Sequence, residues 1–207
     1  MARRGKELRE HILWTAKDTF IELGFERTSM DEVARNASAS KRSLYAHFEN
    51  KENLFLAVVE LVRGLFLTRL KQPDDYSVDS KDALVMFCTQ YLKSLLYEKS
   101  VQMMRVCMAE STRFPEGAAQ YFEVIFAEVH IRLSTYLETT YGLSPTLSEE
   151  TAQALLGQLL YPHLPRALFG MDPLAESLDD DLPPHIEPTL VHRVVTKSLT
   201  SLQHSSR

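Results

Sequence analysis

Cysteine is nearly absent from this chain, two in 207 residues, which removes the disulfide-stapled secreted classes. The chemistry-bearing motifs are missing too: there is no HExxH, no CxxC pair, no Walker loop and no GxSxG. No run of 18 apolar residues exists to span a bilayer. Arg3 and Arg4 are not followed by an apolar stretch, so neither a secretory nor a twin-arginine signal is read, and a cytoplasmic protein is expected. Strand-type alternation of useful length is lacking, as is any internal repeat, and an all-α fold follows. Positive charge is also short, with 23 Lys and Arg against 28 Asp and Glu.

That last shortage is uneven. Residues 1–51 hold ten basic against eight acidic side chains, while residues 52–207 hold thirteen against twenty. The cationic end is the N-terminal one, where a nucleic-acid surface is to be sought.

There the stretch Thr28 to Glu52, TSMDEVARNASASKRSLYAHFENKE, packs two helix starts and a turn into very few residues. Ser29 followed three positions later by Glu32 forms a capping box ahead of Met30, Val33 and Ala34. Asn36 to Ser40 supplies small turn formers, and Ser40 is placed to cap a second helix from Lys41. On that helix Leu44 and Phe48 share one side at a spacing of four. Lys41, Arg42, Ser43 and Ala46 then face away from the core, with Tyr45 and His47 to either side. Such a face suits a major groove: Arg42 and Ser43 are expected to discriminate bases, and Ala46 to touch a thymine methyl. Thr28, Tyr45, His47 and Lys51 are expected at backbone phosphates, Lys51 beside the amides of a further helix capped by Asn50. Ser29 and Ser40 complete the candidate DNA-binding set.

The first helix is read from about Glu7 to Leu23, with Gly24 as its stop and Arg3, Arg4 and Lys6 as a basic arm disordered without DNA. Trp14 lies off the apolar face and is expected to pack on another part of the chain. A long helix from about Lys51 to Leu70 is apolar on more than one side and links the reading head to a larger body. Beyond the polar loop 72–80, helical stretches are expected near 81–97, 100–112, 115–141, 148–170 and 186–203, about nine helices in all. The division expected is a DNA-binding domain over 1–52 and a C-terminal domain over 53–207.

At Phe20, Gly24, Thr28, Ser29, Val33, Ala34, Ser40, Leu44, Tyr45, His47, Phe48, Lys51 and Glu52 the chain resembles the TetR/AcrR family of transcriptional regulators, over roughly residues 7–60. Ser38 stands where that pattern often has glycine, Arg42 where it often has a small residue, and Ala46 where it often has an aromatic. The RVCMAESTRFPEG segment weakly resembles the C-terminal subgroup called AefR-like. The resemblance implies a three-helix helix-turn-helix head on a larger helical bundle. It further implies a homodimer paired through its terminal helices, a palindromic double-stranded operator, and release of that operator by a small-molecule effector.

Phe87, Tyr91, Met103, Met104, Cys107, Tyr121, Phe122, Phe126 and Tyr161 gather soft apolar side chains on the middle helices. They are read either as an ordinary core or as the lining of a pocket for an apolar or amphipathic molecule, and the resemblance favours the pocket. No cofactor and no metal are expected. Leu155, Leu156, Leu159, Leu160, Leu164 and Leu168, with Leu190, Val194, Val195, Leu199 and Leu202, are read either as buried within one chain or, equally well, between paired terminal helices of two chains, and the resemblance implies the second, a dimer contact. Cys88 and Cys107 are read as small buried apolar residues rather than a redox pair. His163, between Pro162 and Pro165, is read as a local hydrogen-bonding group or a contact to the partner rather than a catalytic base. A regulator controlled by a protein partner through the acidic loop 171–185 is the competing reading.

Overall fold

The computed structural model describes residues 2–205, with side chains over 5–202. Among these residues no strand is present, and a single isolated bridge joins Tyr97 to Ala175. The helices are α1 Ala2–Arg27, α2 Met30–Asn36, α3 Lys41–Phe48, α4 Lys51–Arg69, α5 Ser80–Leu95, α6 Glu98–Ala109, α7 Pro115–Phe122, α8 Glu128–Tyr141, α9 Pro145–Leu160, α10 His163–Leu168 and α11 Leu190–Ser205. A 3₁₀ turn covers Pro73–Asp75 and a π-helical segment Glu123–Ala127.

The chain forms two compact units, and they do not divide after residue 52. The first comprises residues 1–65 and 102–122, the second 66–101 and 123–207. A piece of chain far away in sequence thus completes the head.

In the first unit Ile12, Leu13, Ala16 and Phe20 of α1 are buried, as their spacing predicts. Gly24 interrupts the helix with φ 76° and ψ 168°, a conformation that side chains with a Cβ rarely adopt, and this swings Phe25 back inward. Phe25 stacks on Phe20 at 5.8 Å and meets Phe55 of α4 edge-on at 5.2 Å. Phe114, from the turn before α7, closes the cluster at 4.8 Å from Phe25 and 5.4 Å from Phe55. Offset and edge-to-face rings at these separations add to what burial alone supplies. Gly117 lets α7 approach closely: a Cβ there would lie 2.8 Å from Leu56 Cδ2.

Helix α1 starts at Ala2 rather than near Glu7, so the backbone of the expected arm is helical. The side chains of Arg3 and Arg4 lie outside the described residues; Lys6 pairs with Glu10 at 3.9 Å. Trp14 does not find the partner expected for it elsewhere in the chain. It is 42% exposed, with Lys17 Nζ 4.5 Å above its ring, one turn along the same helix.

In the second unit α5, α8, α9 and α11 bury Phe87, Tyr91, Leu133, Leu137, Leu155, Leu159 and Val195. The run expected over 115–141 is broken by the π-helical turn, and that expected over 148–170 by Tyr161 and Pro162. The π geometry leaves carbonyls short of their regular partners, and the Tyr91 hydroxyl donates to Ile125 C=O at 3.0 Å. Arg132 donates to Leu70 C=O at 2.6 Å and to Glu128 at 2.9 Å, closing the last turn of the chain before the loop. Gly142, with φ 65° and ψ 29°, ends α8, and Ser144 with Pro145 begins α9.

Candidate nucleic-acid interface

The turn between α2 and α3 is built from caps. Ser29 Oγ accepts the Glu32 amide at 3.1 Å, the first half of the expected box; the Glu32 carboxylate instead lies 3.6 Å from Arg35. At the other end of α2 the amides of Ser38 and Ala39 return to Arg35 and Ala34 carbonyls, and Ser38 carries φ 48°. A serine therefore occupies the left-handed position that a glycine takes without cost. Ser38→Gly is expected to stabilise the head by roughly 0.5–1 kcal/mol, read as a rise in thermal midpoint with DNA affinity unchanged. No gain in midpoint would mean that the turn carries no such strain. His11 Nε2 lies 3.2 Å from Ala37 C=O and ties α1 to the same turn.

Helix α3 starts at the Ser40 cap, whose Oγ accepts the Ser43 amide at 3.0 Å. Leu44 and Phe48 are buried, and opposite them Arg42, Tyr45 and Ala46 are exposed. Arg42 projects with no carboxylate beside it among the described residues, whereas Lys41 is held by Asp31 of α2 at 2.7 Å. Ser43 is half-buried with its hydroxyl 2.8 Å from that of Ser40, and His47 is half-buried with its ring 6.1 Å from Phe48.

Two expected phosphate contacts are placed differently. Thr28 is 2% exposed, and its hydroxyl donates to Gly24 C=O at 2.8 Å and Thr19 C=O at 3.4 Å, so it braces the kink in α1. Lys51 turns back as well: its ammonium donates to Phe25 C=O at 2.9 Å and lies 4.2 Å over the Phe25 ring. A cation at the C-terminal end of α1 satisfies carbonyls that the helix leaves unpaired. Arg113 adds a second cation on Phe25, its guanidinium carbon 4.7 Å from the ring, while pairing with Glu26 and with Glu52 at 3.2 Å. Nothing in the local pattern around residue 113 announces this, because the partners are more than sixty positions away in sequence.

The residues offered for an effector pocket are split. Met103, Met104, Cys107 and Phe122 belong to the first unit, and Phe87, Tyr91, Phe126 and Tyr161 to the second. Phe87, Tyr91, Met103, Met104 and Cys107 are buried and Phe126 half-buried. Phe122 and Tyr161 are not: they are 56% and 74% exposed, so neither is enclosed with the others. Burial pushes the Cys88 and Cys107 thiols up to about 12, so neither is a thiolate near neutrality. Tyr161 lines an open groove of about 630 Å³ between α9 and α11, with Gly157, Gln158, Arg193 and Lys197.

Of the apolar residues read as covered either by the same chain or by a partner, Leu155, Leu156, Leu159, Leu164, Leu190, Val194 and Val195 are buried within the chain itself, and Leu160, Leu168, Leu199 and Leu202 are half-buried. His163 is half-buried, its ring 6.2 Å from that of His185, and its pKa is lowered by desolvation and by His185. The neighbouring Asp172 carboxylate accepts two bonds from Arg166 at 2.7 and 2.8 Å, which hold its pKa below the usual carboxylate range. Among the described residues no group of three or more His, Cys, Asp or Glu is arranged to hold a metal. No helix is long and apolar enough to cross a membrane.

A three-helix head whose second and third helices meet at a capped turn, with a cationic outer face, defines a helix-turn-helix DNA-binding protein. Two family models match: Bacterial regulatory proteins, tetR family, over residues 12–58, and AefR-like transcriptional repressor, C-terminal domain, over residues 82–179. The chain belongs to the TetR/AcrR family of transcriptional regulators, whose members bind DNA and act as dimers. It is 27% identical over 107 residues to the HTH-type transcriptional regulator QacR of Staphylococcus aureus (strain Mu50), covering 42% of this chain and 57% of that protein. It is 40% identical over 87 residues to the HTH-type transcriptional activator FasR of Mycolicibacterium smegmatis, covering 40% of each. The chain thus spans between two-fifths and three-fifths of the length of these curated relatives, which are transcriptional regulators and not enzymes. A crystal structure of a TetR-family regulator from Mesorhizobium loti shares the fold with a TM-score of 0.73 at 22% identity, covering 96% of both chains.

Proposed function

We propose that this protein is a homodimeric repressor that holds a palindromic operator with two copies of α3 and releases it when an apolar or amphipathic small molecule binds the C-terminal bundle. The observation that carries the reading is the outer face of α3: Arg42 exposed and unneutralised, with Leu44 and Phe48 buried beneath it. Twofold pairing sets the two heads about 34–36 Å apart, one turn of duplex. The family model over the C-terminal half, which names a repressor, supports the sign of regulation, while one relative is named as an activator. To lower occupancy a hundredfold the effector must favour the released form by about 2.7 kcal/mol. Selection of duplexes from a random pool by the full chain tests the reading. Recovered sequences with inverted half-sites support it, and recovery of single, unpaired sites sinks it.

The pairing surface of this reading lies on the second unit. Since most apolar residues of α9 and α11 are used internally, what the chain offers a second copy is the outer face of that helix pair, with the half-buried Leu160, Leu199 and Leu202, and the turn after α10. Tyr161, Phe169 and Met171 are 74%, 83% and 60% exposed. The turn carrying Phe169 and Met171 is held by the Arg166–Asp172 fork and by Gly170 at φ 71°. Replacing Phe169 with aspartate is expected to shift the dimer toward monomer at micromolar concentration without lowering the thermal midpoint of the monomer, measured by sedimentation. An unchanged dimer would place the contact elsewhere.

The acidic loop gives the rival reading no comparable support. Asp179 pairs with Arg69 at 2.6 Å, Asp181 approaches Lys93 at 3.9 Å, and Asp172 is taken by Arg166, so much of its charge is answered within the chain.

A further inference from the structure

The cations of the reading head can be sorted by what neutralises them. Between residues 5 and 65, Lys6, Lys17, Arg35, Lys41 and Arg63 each have a carboxylate oxygen within 4 Å, at Glu10, Asp18, Glu32, Asp31 and Glu60 respectively. Arg27 donates to Leu23 C=O at 2.8 Å and Lys51 to Phe25 C=O at 2.9 Å. Two remain among the described residues. One is Arg42, already placed on the outer face of α3. The other is Arg9 of α1, exposed, whose guanidinium carbon lies 5.2 Å from the centroid of the Phe48 ring and which has no carboxylate or carbonyl partner.

Arg9 is thus held, not loose. Phe48 is the last residue of α3 and buried, so the guanidinium over its ring lies beside the C-terminal end of the recognition helix. A guanidinium placed over an aromatic face by cation–π attraction keeps N–H donors available for an anionic partner. Arg42 stands near one end of α3 and Phe48, beneath the Arg9 guanidinium, at the other, roughly 9 Å apart along the axis for six residues at 1.5 Å each. A helix lying in a major groove about 12 Å wide has a phosphate backbone on either side, and a fixed cation at its end meets one of them.

The geometry points to Arg9 as a phosphate-binding residue: its side chain, placed over Phe48, grips the duplex backbone at the C-terminal end of α3 and sets the depth and register at which Arg42 reads bases. This rests on the reading of α3 as the groove helix, and it adds to that reading a contact from α1, an element outside the helix-turn-helix itself.

The test uses the full chain and a duplex of mixed sequence, with binding measured at a series of salt concentrations for wild type, Arg9→Gln, Arg9→Lys and Arg42→Ala. Each phosphate contact contributes about 0.9 to the slope of log affinity against log salt. Arg9→Gln is expected to lower the slope by about that amount per head, so that across a fourfold rise in salt its affinity falls about threefold less per head than that of wild type. Arg9→Lys, which keeps the charge, is expected to retain the slope. A slope for Arg9→Gln equal to that of wild type, with or without a lower thermal midpoint, overturns the inference and leaves Arg9 as a support for Phe48 alone. Wild-type protein that binds no duplex at any salt concentration would instead overturn the groove reading, and this one with it.

Discussion

Replacing Phe25 with alanine is expected to destabilise the reading head by about 3–5 kcal/mol, the range for deleting a fully buried aromatic ring. The ring is 1% exposed and stands among five partners: Phe20 stacked on it, Phe55 and Phe114 edge-to-face with it, and the cations of Lys51 and Arg113 over the ring. None of these neighbours can close the cavity without moving. Phe20 and Phe55 are pinned in α1 and α4, and Phe114 is tied by the Arg113 pairs to Glu26 and Glu52. Against a typical total of roughly 5–15 kcal/mol, a loss of that size is a large share of the stability. Chemical denaturation followed by circular dichroism measures it, and duplex affinity at room temperature should fall with the folded fraction. A loss under about 1 kcal/mol would show that the cluster collapses around the gap and that its packing counts for little.

Arg42→Ala is expected to have the largest effect that leaves the fold alone. The side chain is exposed and makes no ion pair among the described residues, so its removal should not move the thermal midpoint. If it reads a base edge, its loss costs about 1–3 kcal/mol on the preferred duplex and relaxes preference at one position of each half-site. Affinity for duplexes of unrelated sequence should change far less. An equal loss on every sequence would make Arg42 a backbone contact and leave the reading of bases to Ser43 and Ala46.

The head was largely legible because its signals are local. Ser29 and Ser40 announce their helices within three residues, Leu44 and Phe48 mark the buried side of α3 by spacing alone, and Gly24 marks the break in α1. Side-chain destinations were less so. Thr28 and Lys51 carry groups suited to phosphate, and a sequence gives no sign that carbonyls freed by the Gly24 kink will claim both. Ser38 was noticed as a departure from glycine, and its φ of 48° shows that the backbone keeps the glycine-like conformation regardless. The apolar residues of α9 and α11 were recognised as a face, but periodicity does not tell whether a face is covered by the same chain or by another. Burial shows that most of that face is covered from within, while Leu160, Leu168, Leu199 and Leu202 are half-buried and Tyr161, Phe169 and Met171 are exposed. The π-helical turn at Glu123–Ala127 has no sequence mark that distinguishes it from a continuous helix; it becomes visible only through the carbonyl that Tyr91 takes up.

That residues 102–122 complete the first unit bears on how such a regulator can be recombined with others. A chimera grafting residues 1–65 onto a foreign sensor would carry the caps and the groove helix yet arrive without Phe114, leaving Phe25 and Phe55 open on one side and Glu26 and Glu52 without their shared cation. The transplantable module is therefore discontinuous, and a donor segment equivalent to the α6–α7 turn has to travel with it.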